Sequence, residues 1–337
     1  MEKLNITLII EKAREKLEGK DARALTVFHT GITVAAALVI TLLQFVLAEG
    51  IGNTSGLSGL GTRSVLQTGQ TVLQWANMLL MPFWSLGFLY AALQWVRDGY
   101  AKRQDLLTGF RRWGPYLGLL LNRSLLTICV LVLCANLSSI LYMALPASST
   151  VTDLALATGG DMEAMNKILE DLSSSEAIEL LYAMIPMLVI WVVAGAALLI
   201  PLMYRFRMAE YVILDEPRAR GLSAMLISAA MTRRRRWQLF RLDLRFWWYY
   251  GLKALCVLIC YADLLLTALG VRLPMGEDAA YLITYGLYLA LLFAVEITFR
   301  PRVEAAYALM FEALKEMGPV IPKQPVEKPE NLPWDEE

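Results

Sequence analysis

Side chains suited to acid–base, nucleophilic or metal chemistry are scarce in this chain. Its 337 residues include a single histidine, His29, and four cysteines, Cys129, Cys134, Cys256 and Cys260. The cysteines sit inside apolar runs at spacings that match no zinc motif, so they read as small core hydrophobes. No Ser/His/Asp set is visible around His29. The glycine-rich stretch 49–64 lacks the Gly-Lys-Ser/Thr ending of a phosphate loop and reads as a flexible connection. Charge is also sparse, at 18% against 57% hydrophobic residues, with a mean hydropathy of +0.49. Soluble domains carry about 25% charge, so this balance points to a membrane. The net charge of zero lacks the basic excess of a nucleic-acid-binding domain, and no nucleic-acid partner is expected. Residues 1–23 mix charges of both signs instead of presenting a cleavable leader. The expectations are no cofactor, no metal and no enzyme activity.

What the chain does have is long apolar runs. Six reach the roughly 20 residues needed to cross a hydrocarbon core of about 30 Å. They fall near residues 25–48, 72–96, 116–145, 178–204, 246–269 and 280–299. With no water to satisfy backbone groups, each is predicted to be helical. The fold class expected is therefore all-α, a polytopic bundle of six transmembrane helices with amphipathic helices on the cytoplasmic side. Three regions follow: an interfacial helix within 1–23, a six-span domain over 24–318, and a proline-rich disordered tail over 319–337.

Lysine and arginine fix an orientation. Twenty-six of the 31 lie in four alternate segments, residues 1–23, 97–112, 205–245 and 300–337, whereas the other connections hold only Arg63, Lys167 and Arg272. By the positive-inside rule both termini are cytoplasmic, and the membrane expected is the cytoplasmic one. Residues 4–18 put Ile6, Ile9, Ile10, Ala13 and Leu17 on one helical face, predicted to lie on the inner leaflet. A short amphipathic helix is predicted around Met162, Met165, Leu169 and Leu172.

The segment "TRRRRWQLFRLDLRFWWYY", residues 232–250, combines Arg233, Arg234, Arg235, Arg236 and Arg241 with an aromatic block. At the inner end of a span, arginines meet anionic headgroups and aromatic rings form an interfacial belt. These arginines are the candidate surface for anionic inner-leaflet lipid, or for a protein partner on the cytoplasmic face. Arg123, Lys253, Asp263 and Glu296 lie within spans, where charge is costly and each is a functional lead. Lys253 and Glu296 fall at similar depth and can pair. The competing reading has Lys253 and Arg123 snorkelling and Glu296 pairing with Arg300 at i,i+4. Asp215 and Pro217 look like the start of a helix, with Asp215 as its cap. An acidic enzyme site of Glu210, Asp215 and Glu216 is disfavoured, because ten basic residues surround it in the same segment.

The stretch "YRFRMAEYVILDEP", then Ala224, Ser228 and Met231, then "RRRWQLFRLDLRFWWYY", resembles a bacterial membrane-protein family known as domain of unknown function 975. The shared features are Tyr211, the acidic-x-Pro turn at Asp215 and Pro217, Ser228, the Phe240 to Trp248 approach to the next span, and Pro301 before Ala306 and Tyr307. The resemblance is clear over about residues 195–315. Arg233 to Arg236 stand where the family usually has Lys-Gly, and Arg245 stands where serine is common. The resemblance implies an integral membrane protein and supplies no catalytic residues. Two functions follow from the residues: a non-enzymatic membrane factor that binds lipid or a partner, and, as the alternative, a small permease or channel built on the intramembrane charges.

Overall fold

The computed structural model describes residues 5–17, 20–53, 60–143, 174–262 and 277–317. The described residues are helical, with no strand among them. Five of the helical segments are long and apolar enough to cross a membrane: Ala22–Ala48, Ser64–Asp98, Trp113–Met143, Ile185–Asp215 and Leu282–Met317. Their side chains are largely uncovered by protein, as Val39, Leu42, Val46, Leu133, Ile140 and Val192 show. So much exposed aliphatic surface is tolerable only where hydrocarbon is the solvent, which marks a membrane protein. The remaining expected span, 246–269, is described only to residue 262, where the apolar helix Trp247–Cys260 occupies it. The amphipathic helix expected near Met162 and the tail 319–337 lie outside the described residues.

The chain divides into two compact units, one made of residues 1–108 with 230–337 and the other of residues 109–229. The first unit opens with α1 (Ile6–Lys16), capped by Asn5, whose Oδ1 accepts from the Thr7 and Leu8 amides at 3.2 and 3.4 Å. Its Ile6, Ile9 and Ala13 are buried by protein, because α1 packs on the final helix, α11 (Glu277–Met317). The apolar face expected to meet lipid thus has protein over it. Next come α2 (Lys20–Asn53) and α3 (Leu60–Asp98), which pack together and both contact α11. Much of the glycine-rich stretch is therefore helical, continuing α2 and beginning α3. The lack of a side chain at Gly50 brings α2 against Leu66 of α3, and that packing outweighs weak helix propensity. Gly99, at φ 79°, ends α3 in the left-handed conformation.

A tight 3-10 turn follows at Arg103–Leu107, fixed by Asp105 Oδ2 accepting from the Lys102 amide at 2.7 Å. It folds Leu106 onto the core of this unit, with Ala22, Leu25, Phe88, Ala91, Ala92 and Trp95. The unit is completed by α9 (Arg236–Arg245) and α10 (Trp247–Cys260), the latter lying along α11. Arg97 and Glu312 join α3 to α11 with a 2.6 Å hydrogen-bonded ion pair.

The second unit contains α4 (Thr108–Arg111, from its second residue), α5 (Trp113–Met143), α6 (Ser174–Phe206), α7 (Ala209–Asp215) and most of α8 (Gly221–Thr232). α5 packs along α6, where the Tyr142 hydroxyl donates to the Ala183 carbonyl at 2.8 Å. Asp215 ends α7 and does not cap a new helix, correcting the expectation from the Asp-x-Pro spelling. Pro217 lies in a turn, and α8 begins only at Gly221, where Ser223 Oγ accepts from the Arg220 amide at 2.8 Å. The chain restarts its helix where that hydroxyl can satisfy an orphan donor.

Candidate functional site

Glu296 is the centre of the polar chemistry in the first unit. Only 6% exposed, it lies on the α11 face that meets α10. Lys253 Nζ sits 2.7 Å from its Oε1, and the Tyr249 hydroxyl donates to the same oxygen at 3.1 Å. Tyr249 and Lys253 are one helical turn apart on α10, so one face of that helix delivers both. The other carboxylate oxygen, Oε2, has Arg300 Nε at 3.4 Å, an i,i+4 ion pair within α11 without hydrogen-bond alignment. Interhelical pairing and local i,i+4 pairing therefore converge on one carboxylate. Arg300 is held in turn by Phe88 of α3, its guanidinium 4.5 Å from the ring centroid. Lys253 keeps 41% of its side chain exposed, so its stem is lipid-accessible while its ammonium is engaged.

Beside this cluster lies a cavity of about 300 Å³, lined by Thr30, Thr33, Lys253, Tyr288, Glu296 and Arg300 among aliphatic side chains. Thr30 is 2% exposed, and its Oγ1 has no hydrogen-bond partner among the described residues. His29, one residue earlier, stacks on Trp84 with centroids 5.0 Å apart, and its Nε2 faces the Trp84 carbonyl at 3.2 Å. Trp84 returns the contact by donating its Nε1–H to Thr33 Oγ1 at 3.1 Å. The histidine is thus a packing element joining α2 to α3. Among the described residues no three metal-ligating side chains converge. The arrangement can hold a polar or charged group against two cations, a carboxylate and threonine hydroxyls, within apolar walls.

The four intramembrane residues do not form one group. Arg123 belongs to the second unit, where its Nη1 lies 3.3 Å from Glu210 Oε1 of α7. Glu210 is therefore engaged with a helix-borne arginine. Asp263 lies outside the described residues. Two family-motif residues of the second unit are packed within it: Tyr211 is buried, and Ser228 Oγ accepts from the Met208 amide at 3.2 Å while donating to the Arg205 carbonyl at 3.1 Å.

The arginine run also divides. Arg233 and Arg234 are exposed, whereas Arg235 reaches the Met317 carbonyl at 3.3 Å and caps the end of α11. Arg236 is half-buried, and Arg241 is exposed on α9. Phe240 stacks on Trp237 at 5.0 Å, Trp248 meets Phe299 edge-on at 4.3 Å, and Pro301 is buried within α11. Sequence reasoning missed Tyr249 and Thr30. Tyr249 carried a signal, since it stands four residues before Lys253 and so shares its face. Thr30 carried none, because nothing local says which α2 threonine faces a cavity.

The profile of the family described as "Protein of unknown function (DUF975)" matches residues 9–316, so the likeness extends through the first half of the chain as well as the second. No curated protein and no solved structure matches the chain.

Proposed function

The chain belongs to this family, and since the family's description carries no activity, we propose from its side chains that it is a non-enzymatic factor of the bacterial cytoplasmic membrane that binds anionic lipid through a basic inner face. In this reading residues 246–269 make a sixth crossing and both termini are cytoplasmic, an orientation that the segregation of lysine and arginine supports. The observation that carries the lipid reading is the state of Arg233, Arg234 and Arg241. All three are exposed and without an ion-pair partner among the described residues, beside the exposed rings of Trp237 and Trp247. Each such residue contributes about 1 kcal/mol of attraction to an anionic leaflet, and the rings settle at headgroup depth. The protein extracted in mild detergent is expected to carry anionic lipid enriched over the bulk membrane. Arg233→Gln with Arg234→Gln and Arg241→Gln should lower that enrichment several-fold. Unchanged enrichment would remove this surface from the proposal.

The cavity beside Glu296 supports a second reading, a small permease in which Glu296, Lys253 and Arg300 contact the solute. A pH-sensitive dye enclosed in proteoliposomes tests its proton-coupled form. Proton entry that is lost in Glu296→Gln favours the permease, and tight vesicles with either protein count against it.

A further inference from the structure

A second cavity of the first unit, about 410 Å³, is lined by Arg14 of α1, Arg23 of α2 and Arg302 of α11, with Leu17, Ile297 and Pro301 among its walls. Arginines from three helices therefore line one space. None of them forms an ion pair among the described residues, although Glu11 and Glu15 share α1 with Arg14. Among the described residues no carboxylate lines the cavity. Three arginines without ion-pair partners among the described residues, converging on one cavity, repel one another, a cost a bound anion would relieve. The first turn of α2 borders the same space, and the positive end of that helix adds to the attraction.

The cavity lies where the first span begins, at Ala22–Arg23, and where the last helix passes Pro301 from its apolar part into its charged part. That is the level at which headgroups meet a membrane protein. The wall is mixed: three arginines together with Leu17, Ala22 and Ile297. An amphiphile matches it better than a fully hydrated anion does. A phosphodiester headgroup carries one negative charge and would leave two of the three arginines uncompensated. A phosphomonoester carries about −1.5 to −2 near neutral pH and three acceptor oxygens, and arginine forks bind such oxygens in pairs.

We propose that Arg14, Arg23 and Arg302 form a binding site for a lipid whose headgroup ends in a phosphomonoester. The site rests on the anionic-lipid reading given above and makes it selective.

The test uses the full chain in nanodiscs of neutral lipid, titrated with phosphatidic acid, with phosphatidylglycerol of the same acyl chains, and with water-soluble glycerol phosphate. Bound lipid is read by native mass spectrometry. Phosphatidic acid is expected to bind about tenfold tighter than phosphatidylglycerol, a modest free-energy difference, and glycerol phosphate is expected not to compete. Arg14→Gln with Arg23→Gln and Arg302→Gln should abolish the preference. These side chains are exposed, so the core is untouched, and the single change Arg302→Gln gives a second measurement with the same expected direction. Arg233→Gln with Arg234→Gln should leave the preference intact. A preference that survives in the triple variant overturns the site, and full competition by glycerol phosphate overturns the lipid assignment. Equal binding of the two lipids overturns the selectivity while leaving the general reading standing. Binding of neither overturns both.

Discussion

Glu296→Leu is expected to destabilise the protein by about 3–5 kcal/mol, the usual cost of removing one member of a buried ion pair. The change leaves Arg300, whose side chain is 14% exposed, without its carboxylate, and it leaves Lys253 and Tyr249 aimed at an apolar group. Lys253→Leu should cost less, because Arg300 still neutralises Glu296 and the lysine side chain lost was partly exposed. Glu296→Leu combined with Arg300→Leu should recover most of the loss, since the cation that burial penalises most is then absent. Thermal melting in detergent reads the series. A double-mutant cycle between Lys253 and Glu296 should give a coupling of about 0.5–3 kcal/mol, as groups in one network do. Strict additivity would mean that Lys253 reaches the headgroups independently of Glu296 and that the carboxylate organises nothing.

How far this cluster could be read from sequence depends on the kind of information each contact needs. Depth is nearly one-dimensional in a membrane helix, so Lys253 and Glu296 could be placed at one level by counting residues from the charged boundaries. Arg300 was visible as a local neighbour of Glu296. Tyr249 was assigned to an interfacial belt, because composition alone does not separate a ring at the headgroups from one whose hydroxyl turns inward. The same limit applies to the arginines. Counting shows that residues 233–236 are basic, but Arg235 is diverted to a carbonyl 82 positions away in sequence, and Arg14, Arg23 and Arg302 converge only through tertiary packing. The apolar runs themselves were legible, since hydrocarbon imposes length and helicity together. The misread places were residues 49–53 and 60–64, which are helical with Gly50 packed against Leu66, and Asp-x-Pro, where the helix starts later, at the Ser223 hydroxyl cap.

Gly221→Ala is the substitution in the second unit expected to do most damage, about 3 kcal/mol or more, and its neighbour Gly118→Ala the one expected to do least. Gly221 opens α8, and a methyl group there would run into the backbone of Gly118 and Leu119 on α5. Backbone atoms of a packed helix cannot turn aside as a flexible side chain can, so the two helices must separate or the start of α8 must unwind. Either movement disturbs α8, the helix that carries Ser228 to the Met208 amide and the Arg205 carbonyl. The contact is asymmetric. A methyl on Gly118 would meet Gly221 N and Cα at 3.7 and 3.8 Å, ordinary van der Waals distances. Because Gly118 is inside a long helix, alanine there should stabilise by up to about 1 kcal/mol through lower chain entropy in the unfolded state. Melting of the two variants should therefore shift in opposite directions from the wild type, with Gly221→Ala lower and Gly118→Ala equal or higher. Equal losses would show that the glycines serve backbone flexibility, whereas opposite shifts require that α8 rests directly on the α5 main chain.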